Sequence, residues 1–473
     1  MILYSENKNY KLYHGSMLDM LEHIEPNSID SVVTDPPYEL NFMNKGWDNA
    51  GISFQSDTWK KCYEVLKPGG YMLAFGGSRT FHRIACAIED AGFEIRDTIM
   101  WIYGSGFPKS TNIGLAVDKK NGVESKVIGD GKSGSADTHT RTMNSKTQSG
   151  KEVFGGDYEI KEAQNEWKGW GTCLKPSFEP IIVARKPLDG TCVENVIKWG
   201  VGGLNIDECR IGTEERTYKG MSSHKPEGAG TFRDDNWVPK DIEVTVNGRF
   251  PANTILTYDD TDYEEVCGGF PQSKGASSQN NYSNGSIYRG QSLNESTTKL
   301  EGHREWYNDD GSASRYFYCA KASKKDRDEG CQHLSDTTNA VSNQAIAELK
   351  RGNDEFSDSK NSTFNKVYTG KNTHPTVKPT ELMQYLIRLV TPNGGTILDP
   401  FNGSGSTGKA AMYENRERNK NYTYIGIELT EEYLSVSKAR IEYPLTCVLH
   451  KDKKEIKAKE QPTTEQSKEV NLW

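Results

Sequence analysis

Apolar and polar positions divide the chain into two patterned stretches separated by long polar ones. In residues 10–105, Leu12-Tyr13-His14 reads as a short strand. Ser31-Val32-Val33-Thr34 reads as a strand running directly into Asp35-Pro36-Pro37-Tyr38. Residues 59–66 have helical spacing, stopped by Lys67-Pro68-Gly69-Gly70. Residues 71–75 form a continuous apolar run of the buried-strand type, ending at Gly76-Gly77. A helix over 81–91 ended by Gly92 and a strand over 95–102 follow, and residues 180–185 return as a strand. In the second stretch, 374–443, Leu382, Met383, Leu386, Ile387 and Val390 share one face of a helix over 380–390. Strands near 396 and 424 flank a Gly-rich turn, the second ending in Glu428. Thr430 is placed to cap the helix after it, with Glu431 and Glu432 in its first turn. Strands alternating with helices predict a mainly parallel α/β sheet.

Between these stretches, 106–172 is rich in Gly, Ser, Thr, Asn and Lys and reads as a loop insertion. The stretch 212–373 is polar and irregular, and 275–300 is almost wholly Ser, Asn, Gly, Gln and Thr. The charged tail 446–473 reads as a solvated, flexible segment. At 34% hydrophobic residues, the 473-residue chain is too polar to be one continuous core, which agrees with long loops. A net charge of −8 weighs against nucleic acid unless Lys and Arg gather on one face. The best local patch is 315–327, where Arg315, Lys321, Lys324, Lys325 and Arg327 lie among three aromatics with one acid. Such a patch suits phosphates and unstacked bases, or equally a solvated face over an aromatic strand. Nine cysteines without a CxxC pair argue against a disulfide framework or a metal site. The absence of a long apolar run argues against a membrane span, so a cytoplasmic protein is expected.

Residues 403–409 read Gly-Ser-Gly-Ser-Thr-Gly-Lys after a strand. As GxGxxG they fit a dinucleotide turn, with Glu428 placed for a ribose. As GxxxxGK they approach a P-loop, but Ala410 replaces the Ser/Thr that would hold magnesium. As an S-adenosylmethionine turn, the glycines admit a small cofactor and Glu428 takes its ribose hydroxyls; a purely structural Gly turn is the remaining reading. Asp399-Pro400-Phe401 between strand and glycines is unusual for the first reading. Upstream, Lys378 or the Thr376 hydroxyl in His374-Pro375-Thr376-Val377-Lys378-Pro379 could meet a carboxylate such as that of methionine, or the segment is a prolyl loop that sets the helix entry.

Asp35-Pro36-Pro37-Tyr38 is either a rigid strand-end turn or a site for a base amine. An exocyclic amine is a poor nucleophile because its lone pair is delocalised into the ring. The Asp35 carboxylate and the Pro36 carbonyl could accept its two N–H bonds, Pro36 and Pro37 would preorganise those acceptors, and Tyr38 would stack on a flipped-out base.

With these motifs in this order, the chain resembles the S-adenosylmethionine-dependent DNA amino-methyltransferases of the beta group, in which the DPPY half precedes the cofactor half. The resemblance covers about 1–105, 173–210 and 374–443. Tyr103-Gly104-Ser105-Gly106-Phe107-Pro108-Lys109 and Gly248-Arg249-Phe250-Pro251-Ala252-Asn253 look like phage and prophage members. It implies a Rossmann-like, circularly permuted sheet of seven mostly parallel strands, near 12, 31, 71, 97, 181, 396 and 424. It divides the chain into a catalytic half (1–105), the insertion (106–172), a return to the sheet (173–211), a target-recognition region (212–373) and a cofactor half (374–445). It implies S-adenosylmethionine held by Ser16, Thr376, Lys378, Asp399, Phe401, Gly403, Gly405, Thr407 and Glu428, with catalysis by Asp35, Pro36, Pro37 and Tyr38. Double-stranded DNA is the implied partner, a cognate restriction endonuclease a candidate one, and the oligomeric state stays open. Two positions depart from the family. Ser16 follows Gly15 where an Asp usually contacts adenine, so that contact is weakened or moved to Asp19. Ser406-Thr407 replaces Thr-Thr, which keeps a hydroxyl. Asp at the first tetrad position leans towards N6 of adenine over N4 of cytosine. Rival classes are a NAD-dependent oxidoreductase, which gives Asp35 no role, and a DNA-binding module with a dead core.

Overall fold

The computed structural model describes residues 2–40, 48, 50–103, 110–132, 157–221, 241–258, 270, 272–273, 311–321, 326–334, 337–340, 367–372 and 374–447. The expectations for 275–300 and for the tail from 448 fall outside these residues. The chain opens with β1 (Ile2–Glu6), β2 (Tyr10–His14), α1 (Met17–Leu21), β3 (Ile29–Thr34), α2 (Ser56–Val65), β4 (Leu66–Phe75), α3 (Phe81–Asp90) and β5 (Glu94–Tyr103). It continues with α4 (Ile113–Asn121), β6 (Lys126–Lys132), β7 (Asp157–Glu162), β8 (Phe178–Arg185), α5 (Cys192–Trp199), β9 (Ile211–Met221), β10 (Asp241–Arg249) and β11 (Thr254–Tyr258). Short strands β12 (Gln272–Ser273), β13 (Gly311–Ser312), β14 (Tyr318–Lys321), β15 (Thr337–Ala340) and β16 (Val367–Gly370) lead to α6 (Thr380–Val390), β17 (Thr396–Asp399), α7 (Ser406–Arg418), β18 (Thr423–Glu428) and α8 (Glu431–Thr446).

The described residues form two compact units, one drawn from 1–96, 182–203 and 323–473, the other from 97–181 and 204–322. In the first, the strand order is β1-β2-β18-β17-β3-β4-β8. The β2–β18, β18–β17, β17–β3 and β3–β4 pairs are parallel, and β1 is an antiparallel edge. Every residue of β3 is buried, and Met72, Leu73, Ala74 and Phe75 of β4 have no exposure, as expected for central strands covered on both faces. Trp59 of α2 is fully buried in the same core and donates its indole N–H to the Ser53 carbonyl at 2.9 Å.

All seven expected strand positions carry strands. Among the described residues, β1 in the first unit and β11 and β14 in the second are further strands, so the seven are not the full set. These additions are short or polar and carry no clear apolar period. Helix α6 matches its expected bounds, but it is buried on nearly all sides rather than on one face. That burial is compatible with Gln384 and Arg388 because both bond to Glu414 of α7, itself fully buried. The Arg388 contacts are 3.1 and 2.7 Å. Sequence periodicity sees an amphipathic helix there because the compensating carboxylate lies 26 residues away.

The second unit, taken by itself, holds β5, β11 and β14 as parallel neighbours. The Trp101 indole N–H donates to the Thr257 hydroxyl at 2.7 Å. The expected loop insertion contains helix α4, capped by Asn112 and closed by left-handed Gly122, and the antiparallel β6–β7 pair. Asn165 ties this helix to the chain that follows, donating to the Gly114 carbonyl and to Asp118. Its polar composition hides the helix because capping and side-chain bonds, not an apolar stripe, hold it. The antiparallel pair β9–β10 starts one residue before the expected recognition region and otherwise falls in it. Among the described residues no helix is long and apolar enough to cross a membrane.

Candidate active site and its family

Strands β3, β17 and β18 are parallel neighbours, so their carboxyl ends deliver three loops to one place, although 365 residues separate Thr34 from Asp399. The Thr34 hydroxyl donates to Asp399 Oδ1 at 2.7 Å, linking the last residue of β3 to the last residue of β17. Asp35 follows at once. The tetrad after β3 is held from outside: the Ser53 hydroxyl donates to the Pro37 carbonyl at 2.7 Å and the Thr80 hydroxyl to the Tyr38 carbonyl at 2.8 Å. These bonds, with the two fixed proline φ angles, preorganise the segment.

Asp35 Oδ2 accepts a 2.6 Å bond from the Lys378 ammonium, while Oδ1 is buried without a hydrogen-bond partner. Lys378, offered with Thr376 as a partner for a ligand carboxylate, bonds here to the carboxylate of the tetrad. Thr376 serves that loop through its main chain. Its carbonyl accepts from His374 Nδ1 at 2.5 Å, which makes Nδ1 the protonated nitrogen of the ring. Burial pushes His374 down to about 3, so the ring is neutral, and it packs edge-on against Tyr433 at 4.5 Å.

The turn after β17 places Gly403 at φ +52° and Gly405 at φ +73°. A Cβ at Gly403 would come within 2.9 Å of His374 Nε2, and one at Gly405 within 2.7 Å of the Ser437 hydroxyl and 3.0 Å of its carbonyl. The sequence left both ligand approach and a purely structural turn open for these glycines. In the structure the space they leave bare is filled by the protein itself, so the turn requires them for its own packing. Asn402 reinforces it, donating to Ser437 Oγ and accepting from the Tyr424 hydroxyl, both at 2.7 Å.

Glu428 ends β18 with its Oε2 accepting from Gly403 N and its Oε1 from Thr430 N, both at 2.7 Å. Each oxygen keeps a second lone pair for an incoming hydroxyl. Burial raises Glu428 to about 7 against the pull of those backbone donors, and burial raises Asp399 to about 6. The Thr430 side chain makes no capping bond, contrary to expectation; the loop is held by its backbone N–H. Phe401 leans on Trp59 at 6.2 Å, and the Thr407 hydroxyl donates to the Val33 carbonyl at 3.3 Å. Ser16 caps α1 through Leu18 N at 3.3 Å, and its neighbour Gly15 donates to the Glu428 carbonyl, which sets Ser16 beside that strand end. Asp19 is exposed in the first turn of α1.

Sequence reasoning missed a buried charge cluster behind the turn. Lys409, which the P-loop reading would put on a phosphate, is fully buried. It pairs with Asp326 at 2.5 Å and Glu329 at 2.7 Å. Arg440, also fully buried, donates to the Ser404 carbonyl and hydroxyl and to the Ser406 hydroxyl at 2.9–3.0 Å, and faces Asp326 at 3.6 Å. Asp326 further accepts from Thr380 N and Oγ1. Burial would raise its carboxyl, but Lys409 and Arg440 outweigh that and hold it below the ordinary value. No local motif marks these residues; only the fold joins them.

Of the basic patch, Lys324 and Lys325 lie outside the described residues, as do the side chains of Arg315 and Lys321. Arg327 is half-buried and its Nη2 donates to the His374 carbonyl at 2.6 Å. It therefore braces the loop before α6.

The DNA methylase family model, N6_N4_Mtase, matches residues 29–439. The chain belongs to that family of DNA methylases. The match runs from the start of β3 into α8 and so takes in both the tetrad and the Gly-rich turn. S-adenosylmethionine is the cofactor of this family, in agreement with the third reading of the turn. The residues fit it: a buried acid with spare lone pairs stands at the end of β18, and a second acid stands at the end of β17, beside the tetrad. Three Type II methyltransferases are similar in part. M2.LlaDCHI of Lactococcus lactis subsp. cremoris is 30% identical over 118 residues, 21% of this chain and 43% of that protein. M.HpaI of Haemophilus parainfluenzae is 32% identical over 106 residues, 21% of this chain and 34% of its own length. M2.MboI of Moraxella bovis is 42% identical over 115 residues, 20% of this chain and 42% of its own. The chain thus spans less than half the length of each of these relatives.

Proposed function

We propose that this DNA methylase transfers a methyl group from S-adenosylmethionine to N6 of adenine in double-stranded DNA, taking the base out of the stack to do so. One observation carries the reading: Asp35 presents a buried, unpartnered Oδ1 at the end of β3, one residue past the Thr34–Asp399 bond to the cofactor turn. A buried acceptor without a donor is unfavourable by about 1–3 kcal/mol, and a base amine would relieve it. The cofactor supplies an electrophilic methyl on a sulfonium. Asp35 Oδ1 and the Pro36 carbonyl accept the two amine N–H bonds and turn the nitrogen lone pair towards that methyl. The carboxylate faces the positive charge that develops on nitrogen and takes the departing proton, while Tyr38 stacks on the extruded base. Glu428 holds the ribose hydroxyls. Ser16, Asp399, Phe401 and Thr407, with the turn of Gly403 and Gly405, frame the rest of the cofactor.

The order of tetrad, polar middle and cofactor turn supports the beta-group, permuted arrangement, and Gly248–Asn253 supports phage-like kinship. Residues 212–373 are proposed to read the target sequence, with Arg315, Lys321, Lys324 and Lys325 on phosphates. The protein is read as cytoplasmic, with a cognate restriction endonuclease as its candidate partner. Asp35 leans the target towards adenine, whereas the family takes in both N6 and N4 enzymes.

The test is Asp35→Asn together with mass spectrometry of nucleosides from methylated DNA. The variant is expected to lose transfer while binding S-adenosylmethionine, and the wild type to yield N6-methyladenine. A variant with near-normal turnover would overturn the chemistry. N4-methylcytosine alone would overturn only the choice of base.

A further inference from the structure

Lys378 stands in an unusual setting. It is 6% exposed, and its ammonium lies 2.6 Å from Asp35 Oδ2. The same nitrogen is 5.0 Å from the centroid of the Phe75 ring and 5.4 Å from that of Tyr38, so aromatic rings as well as the carboxylate hold the cation in place. Its backbone is fixed too. Pro379 follows, and Thr380, the next residue, is pinned to Asp326 through both its N–H at 2.7 Å and its hydroxyl at 2.5 Å. A flexible lysine waiting for a ligand would have a mobile stem and an open head. This one has neither.

We propose that Lys378 is a positioning residue for the catalytic carboxylate and not a ligand of the cofactor's carboxylate. This rests on the methyl-transfer reading above. The ammonium takes Oδ2 and so fixes the carboxylate plane, which leaves Oδ1 as the oxygen presented to the amine. It also supplies the counter-charge of a carboxylate that must keep its shape while the base enters. Lys378 touches Tyr38 as well, so one loop sets the acceptor and the stacking ring together. The rate, not cofactor affinity, is then the quantity that depends on it, because misplacing a reacting group by about 1 Å lowers the rate about 10²-fold.

The two roles separate cleanly in Lys378→Met and Lys378→Arg, assayed by single-turnover methylation of DNA at saturating S-adenosylmethionine and by calorimetric titration of the cofactor. Lys378→Met is expected to slow the methyl-transfer step about 10²-fold with a cofactor Kd within about threefold of wild type. Lys378→Arg, which keeps the cation, folds as wild type does and restores most of the rate. A cofactor Kd raised tenfold or more with the saturated rate intact would overturn the proposal in favour of a cofactor ligand. An unchanged rate and Kd would overturn it outright. Asp35→Asn, run beside them, keeps the failures apart: turnover surviving there sinks the methyl-transfer reading itself, whatever Lys378 does.

Discussion

Gly405→Ala, set against Gly394→Ala, tests how the cofactor turn is built. Both glycines have left-handed φ, +73° and +78°. Alanine at either position therefore carries the same backbone penalty, about 1 kcal/mol. At Gly394 nothing lies within 4 Å of the added Cβ, so that penalty is the whole effect. At Gly405 the Cβ would lie 2.7 Å from Ser437 Oγ, 3.0 Å from its carbonyl and 3.1 Å from its Cα. A hydroxyl can rotate away, but the backbone of α8 cannot, so the turn or the helix must shift. Overpacking of that kind costs about 1–3 kcal/mol. Losing the 2.7 Å bond from Asn402 to Ser437 Oγ adds about 1 kcal/mol. The expected loss is about 3–5 kcal/mol for Gly405→Ala and about 1 kcal/mol for Gly394→Ala, read as urea midpoints at constant slope. Because Gly403, Ser404 and Ser406 move with the turn, Gly405→Ala should also weaken S-adenosylmethionine binding by about tenfold or more in calorimetry, and Gly394→Ala should not. Equal stability losses and equal cofactor affinity in the two variants would refute the claim that Ser437 fills the space glycine leaves.

Other outcomes follow from the same geometry. Glu428 is raised to about 7 in the folded chain, above its ordinary 4.5. The folded state therefore binds that proton more tightly, and the stability it contributes is full below about 4.5 and lost as pH rises through 7. Subtracting the stability–pH curve of Glu428→Gln from that of wild type should leave a fall of about 3 kcal/mol over this window; a flat difference would contradict the burial argument. Asp326→Asn should cost about 3 kcal/mol in urea denaturation, because Arg440 and Lys409 stay buried with less opposing charge. Thermal and chemical unfolding indistinguishable from wild type would remove the cluster from the account. Exchanging residues 212–373 for those of a related methylase should change the methylated sequence, as read by modified-base sequencing, and an unaltered site would move recognition to 106–172.

What the sequence determined by itself was what short-range physics encodes. The run Ser31-Val32-Val33-Thr34 ends at two prolines, and Gly395-Thr396-Ile397-Leu398 ends at Asp399 and a Gly-rich turn, so strand and loop are both readable within a few residues. The site residues Asp35, Asp399 and Glu428 were visible because each stands at such a strand end. Helix α4 was not, because a cap and side-chain bonds hold it in place of an apolar stripe. The role of Lys378 was legible only in part: its loop pointed to a carboxylate, but the carboxylate it meets lies 343 residues earlier. The Asp326–Lys409–Arg440 cluster was not legible at all. Each member alone is an ordinary surface residue type, and burial of the cations depends on a counter-charge brought from 83 and 114 residues away. Which polar residues go inside is decided by their partners, and partners that distant are chosen by the closing of β3, β17 and β18 into one sheet.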